Sequence, residues 1–390
     1  MPTESRTEQL LNAYINGDDI SNFVPLSRNE QILKDMILGN EQTSSPQSRI
    51  ESLYAKLDEK IKQGSSGGED NTLQYVIDNH GGDGIPSCEN LFYSYKGSSL
   101  DALNKIDTSK VTNMKTMFSN CSNLITIPQL DTSSCTDMTS MFTGCSNLTS
   151  IPQLDTSKVT NISNMFYSCY QLTTIPQLDA SKVTNMSSMF AYCSRLITIP
   201  QLDTSSCTNM SSMFNNCVRL TTIPQLDTSK VTSMSGMFSN CSVLTSIPQL
   251  DTSSCTNMYE MFTGCSNLTT IPQLNMNNVT NTRSMVSWCK KLSYLKLLNV
   301  KVSLQIGSGT SWGHLIEKDC LIQIISELID TSSSQTLTMG TANKEKIADT
   351  YVKLLADDGT GKHPFEVCTS TDEGAMTIEA YCNSKNWTLA

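Results

Sequence analysis

The chain predicts an α/β solenoid of 24-residue coils, and three regularities carry that expectation. Aspartates stand at Asp107, Asp131, Asp155, Asp179, Asp203, Asp227 and Asp251, and Asn275 and Asn299 continue the beat. Cysteines stand fourteen residues after the first eight of these, at Cys121, Cys145, Cys169, Cys193, Cys217, Cys241, Cys265 and Cys289. Between them the same apolar positions recur, in the first unit Val111, Met114, Met117, Phe118, Cys121, Leu124, Ile127 and Leu130. A short fixed period means units that bury their apolar faces only by stacking on neighbours. Such a stack offers a long regular surface, which favours binding over a catalytic pocket.

Within a unit, the apolar spacing from Met114 to Leu124 marks one face of a short helix. Ile-Thr-Ile-Pro-Gln-Leu then reads as a short strand. Its proline, repeated seven times from Pro128 to Pro272, deletes a ladder donor, so pairing must stop before it or route around it. Asp-Thr-Ser supplies a turn, with the carboxylate bonding to backbone N–H groups just downstream. Each coil is therefore expected to be strand, turn and helix. The eighth unit drifts, with Val286 for Phe, Lys296 for Pro and Asn275-Met-Asn for Asp-Thr-Ser, as expected where stacking ends.

Five segments follow from this reading. Residues 1–62 carry three SRxE starts, Ser5-Arg6-Thr7-Glu8, Ser27-Arg28-Asn29-Glu30 and Ser48-Arg49-Ile50-Glu51. Serine followed three residues later by glutamate is a capping-box pattern, so each opens a short amphipathic helix. The expectation is an anchor or oligomerisation segment, with a small independent helical domain as the alternative. Residues 63–70 form a Gly/Ser linker, 71–106 an N-terminal cap, 107–298 the eight-unit solenoid and 299–390 a C-terminal α/β cap. In the last segment helices are expected over 317–330, 344–355 and 377–386, and a strand over 335–339.

Composition narrows function. A formal charge of −10 in 390 residues excludes nucleic acid as an expected partner, because phosphate binding needs a concentrated basic face. No segment approaches the roughly 20 apolar residues of a membrane span, and no export signal is visible at the N-terminus. The fifteen cysteines include no CxxC pair, and at Cys135, Cys207 and Cys255 cysteine alternates with valine of other units. They read as reduced, buried apolar residues, with no metal and no cofactor expected. His80, His314 and His363 all lie outside the array, and no nucleophile or phosphate-loop motif occurs, so no enzymatic activity is expected.

The unit VTNMSSMFxxCSxLTTIPQLDTSK resembles the leucine-rich-repeat variant of BspA-like bacterial surface proteins, over residues 85–300. The resemblance implies a right-handed β-α solenoid with roles in adhesion and protein binding. The SRxE repeats and the closing KNWTLA look like those of proteins from phages and prophages of gut bacteria. Taken with the missing export signal, this leads to the expectation of a virion or tail-associated protein assembled in the bacterial cytoplasm. Residues 1–62 would then contact other virion proteins or self-associate, and the solenoid would meet a host surface protein or glycan. A cell-surface adhesin and a purely structural decoration are the alternatives.

Specificity is expected at the few variable positions. These include Tyr167, Tyr170, Tyr192, Arg195, Arg219, Tyr259 and Trp288, types enriched at binding hot spots. The alternative is that they are solvated surface residues. The constant rows, Gln129 to Gln273 and Asp107 to Asp251, read as structural ladders and turn caps, with polymer or calcium binding as their functional alternatives.

Overall fold

A computed structural model describes residues 87–100, 103, 107–307, 316–329, 333–339, 341–355 and 364–390. The chain divides into two units at Gly68/Glu69, and everything described belongs to the second. The helices and anchor expected over 1–62 lie outside the described residues, as does the linker at 63–70.

From Ser87 to Asn281 the coils are joined by parallel bridges at one position each, from Ser87 to Asn113 to Asp137 and onward in the same step. Inside the stack every copy of the apolar pattern in coils one to seven is buried. Phe92, Phe118, Phe142, Phe166, Phe190, Phe214, Phe238 and Phe262 form a column of stacked rings, with centroids 5.4–5.8 Å apart and planes within 8°. Val286 ends the column. Beside it runs a column of thiols. Each cysteine of this column, from Cys121 to Cys289, donates to the carbonyl of a phenylalanine one coil back, as Cys145 does to Phe118 at 3.0 Å and Cys193 to Phe166 at 3.1 Å. Cysteine thus fills the space of a small apolar residue and also satisfies a buried carbonyl. All fifteen are free. Burial pushes the thiol of Cys265 up to about 12, so this group stays protonated and inert.

The expected helix is absent from the coils. Met114 to Leu124 is a run of tight turns in which amides alternate between two partners. Met117, Ser119 and Cys121 donate back within the turn, to Met114, Thr116 and Phe118. Met114, Thr116, Phe118 and Asn120 instead donate across to the next coil, to Asp137, Thr139, Met141 and Thr143. Two positions per coil have positive φ, Thr116 and Asn120 in the first. Each is the third residue of a turn, where a type II turn requires positive φ. The turns place side chains inward at short, helix-like intervals, which is why the apolar spacing imitates a helix.

The expected strand is also missing from most coils. Only the last two rungs form strands: β1 (Thr270–Asn275) pairs in parallel with β2 (Tyr294–Leu298), and the register slips between Ile271 and Leu274, where Pro272 lies. In the other coils the glutamine after each proline routes around the missing donor. Gln129 Nε2 donates to Gln153 O at 2.6 Å, and the pattern repeats up to Gln249, which donates to Gln273 O. The amides therefore bond to neighbouring backbone and not to one another. At the turn, Asp131 Oδ1 accepts from Ser133 N at 3.0 Å, and its counterparts do likewise.

Beyond coil eight, β3 (Leu304–Gly307) and β4 (Gln335–Met339) pair in parallel, and β4 pairs in parallel with a short strand at the C-terminus. α1 (Lys318–Ser326) is shorter than the 317–330 expected, because Glu317 holds the N-cap position and Glu327 the C-cap. The helix expected over 344–355 is replaced by α2 (Thr341–Ile347) and β5 (Tyr351–Leu354). β5 pairs on either side with β6 (Phe365–Cys368) and β7 (Met376–Thr377), antiparallel. Sheet pairing wins there because the TYVKL run is β-branched and aromatic, a type that favours strands. α3 (Ile378–Ser384) is capped by Thr377, whose hydroxyl accepts from Ala380 N. The C-terminal strand β8 (Trp387–Leu389) then completes the sheet of β3 and β4. Among the described residues the molecule is thus mixed α and β with no closed barrel, and no helix is long and apolar enough to cross a membrane.

Candidate binding surface

The constant rows fix where recognition can sit. Nearly every buried position is shared by all coils, so coils differ mainly along the rim of the turn segment and just after it. Number the coils from Asp107, with coil three starting at Asp155 and coil eight at Asn275. Tyr167 and Tyr170 then lie on coil three, Tyr192 and Arg195 on coil four, and Arg219 on coil five. The rings of Tyr167 and Tyr192 meet edge to face, 5.4 Å apart. Burial, followed by the nearby phenols of Tyr192 and Tyr170, holds the Tyr167 hydroxyl above its ordinary range, so it stays a neutral donor. Tyr170 and Tyr192 remain 43% and 39% exposed, which leaves their faces for a ligand. Arg195 and Arg219 are exposed and occupy the same position in successive coils.

Tyr259 and Trp288 belong elsewhere, on coils seven and eight. Tyr259 is half-buried, and its hydrogen bond with Glu260 raises its phenol. Trp288 is 45% exposed. The seven candidate residues therefore form one cluster of five and two separate residues.

Backbone geometry singles out Tyr192 and Trp288. The second positive-φ position of the coils holds Asn120, Gly144, Ser168, Tyr192, Asn216, Asn240, Gly264 and Trp288. Asn, Gly and Ser suit this conformation, and bulky aromatic side chains do not. Tyr192 and Trp288 hold it all the same, with rings 39% and 45% exposed, at a conformational cost. Strain of this kind points toward a surface used for something else. Val218 also belongs to the cluster: it is exposed at the position Tyr170 holds two coils earlier. Valine gives no sequence signal of a surface role until its exposure is known.

The constant rows behave structurally. The first six aspartates, Asp107 to Asp227, have carboxyls below their usual range. The main cause is the hydrogen bond from the serine side chain two residues on, and the next is that serine's amide. Among the described residues no group of three or more His, Cys, Asp or Glu side chains could hold a metal ion. His80, His314 and His363 lie outside the described residues.

Stacked coils with a constant core and one variable rim define a tandem-repeat protein. The profile of the family described as "Mycoplasma protein of unknown function, DUF285" matches residues 86–198 and again 196–299, more than half of the chain. The chain belongs to that family. No curated protein matches it. Among solved structures it is similar to a leucine-rich-repeat protein of T. pallidum. The identity is 21%, 45% of this chain and 80% of that chain are covered, and the TM-score is 0.35. A likeness this distant carries nothing about function.

Proposed function

We propose that the array is a leucine-rich-repeat solenoid that acts as a non-catalytic binding scaffold, presenting the tyrosine and arginine rim of coils three to five to a protein or glycan. The observation that carries this reading is Tyr192, an exposed aromatic in a left-handed backbone conformation, packed edge to face on Tyr167. Rigid aromatics beside arginines supply large contact area at low entropic cost. We further propose that the protein is a component of a phage virion or tail, attached through residues 1–62 and facing the host surface. The resemblance of the SRxE repeats and of the closing KNWTLA to phage and prophage proteins supports that placement. A bacterial surface adhesin is the alternative for the same rim.

Two measurements test the reading. Mass spectrometry of purified particles should find the chain, and its absence would remove the virion placement. The double variant Tyr192→Ser, Arg195→Ser should abolish adsorption of the purified protein to host cells while its melting curve stays unchanged. Unaltered adsorption would leave the array as a spacer or decoration.

A further inference from the structure

The stack ends at a cavity of about 520 Å³ between the first turn of coil eight and the strands β3 and β4. Two features of its lining point to an anionic group on the ligand, and a third to hydroxyls. The first is a backbone donor. In coils one to seven the amides of Met114, Met138, Ile162, Met186, Met210, Met234 and Met258 each donate to a carbonyl of the following coil. The equivalent in coil eight is Thr282, which the same register would direct to the carbonyl of Gln305. The Thr282 hydroxyl donates to Ser303 O at 2.6 Å, but the N–H of this buried residue finds no acceptor among the described residues. Buried amides are rarely left without a partner.

The second feature is Arg283, the one ionisable residue in the lining. It has no carboxylate within ion-pairing distance among the described residues, although the chain carries a net charge of −10. The third is the strand face opposite. Gln305, Thr336 and Thr338 line the cavity together with Leu304, while Leu337 and Met339 are buried and do not. The hydroxyls of Thr336 and Thr338 make no hydrogen bond with described residues, and both line the cavity.

We propose that this cavity binds a sugar acid. Its carboxylate would sit on the Thr282 amide and the Arg283 guanidinium, and its hydroxyls on Gln305, Thr336 and Thr338. One guanidinium and one amide match a monoanion better than a dianionic phosphate, and a fork of N–H donors suits a carboxylate. A row of uncharged hydroxyls and an amide suits ring hydroxyls. The volume falls within the range of small-ligand sites. The cavity lies on coil eight and beyond, so the inference does not rest on the tyrosine rim.

Calorimetry of the full-length chain with glucuronate, glucose and inorganic phosphate tests it. Glucuronate should bind at least tenfold more tightly than glucose or phosphate. Arg283→Gln should weaken it at least tenfold and Thr338→Val a few-fold, while Tyr192→Ser leaves it unchanged. Arg283→Lys, which keeps the charge but loses the fork, should fall between wild type and Arg283→Gln. Equal binding of glucuronate and glucose, equal competition by phosphate, or an unaffected Arg283→Gln variant with a wild-type melting curve would each overturn the assignment. Loss of binding in Tyr192→Ser would overturn its independence from the rim.

Discussion

The coils and the segment beyond residue 300 satisfy their backbones in different ways. In the array local and inter-coil bonds alternate: every other turn amide donates to the next coil, and the proline-bearing rung depends on a glutamine side chain reaching its neighbour. Beyond residue 300, short helices and strands carry most of the backbone bonds, with buried polar side chains tying them together. Lys385 is buried, donates to Leu328 O at 3.0 Å and lies over the Tyr381 ring. Asn343 bonds to Met339 O and accepts from Ile316 N. The first region should therefore behave as a chain of nearest-neighbour contacts, and the second as an ordinary small core.

The largest expected effect is in the middle of the ring column. Phe190→Ala should cost about 3–5 kcal/mol, because it removes both transfer energy and two stacked contacts. Hydrogen exchange should show protection falling most in coils three to five and recovering toward the ends of the array. Uniform loss through residue 390 would break the comparison. Next, Lys385→Met should cost about 1–3 kcal/mol by leaving the Leu328 carbonyl without its buried donor. Its exchange effects should stay beyond residue 316. Spread into coils one to six would show that the two regions unfold together.

Gln201→Ala should cost about 1 kcal/mol, the value of one net hydrogen bond, since the side chain is exposed and leaves no cavity. Gln201→Glu should cost at least as much, because the carboxylate cannot donate to Gln225 O. Chemical denaturation of both variants checks this. The smallest effect per residue is at the aspartate turns. Their carboxyls titrate lower folded than unfolded, so the stability they add is present above the ordinary value of 3.8 and is lost as pH falls through the native values below it. Replacing the six aspartates with asparagine should flatten melting temperature against pH in that acid window. Asn275 shows that asparagine keeps the turn, its Oδ1 accepting from Asn277 N at 3.0 Å. An unchanged acid slope would place the sensitivity elsewhere.

The period, the buried columns and the reduced cysteines are legible in the sequence, because stacking makes each coil repeat the same environment. The helix expected within each coil fails because successive turns and a helix share the same inward spacing. The distinguishing signal lies in the column Asn120, Gly144, Ser168, Asn216, Asn240 and Gly264, rich in residues that tolerate positive φ. Past residue 350 the contrary signal to the expected helix is the β-branched and aromatic content of TYVKL, since so short a run fits either period. At the candidate surface, residue type points to all seven positions. Coil number divides them into five on coils three to five plus Tyr259 and Trp288; only three dimensions show that Tyr167 and Tyr192 touch, and add Val218.

The sequence by itself determined the length of one coil, which side chains are buried, and that differences between coils lie in a handful of variable positions. A strictly repeated pattern leaves no other way to bury its apolar face. The tertiary structure decided how the backbone inside a coil is satisfied, since an amide that donates to the following coil has no local signature. It also decided what lies at the end of the stack, where the Thr282 amide has no partner among the described residues and the exposed Arg283 borders an open cleft lined also by strands from outside the array. Such a site depends on contacts between distant segments, and no reading of one repeat contains them.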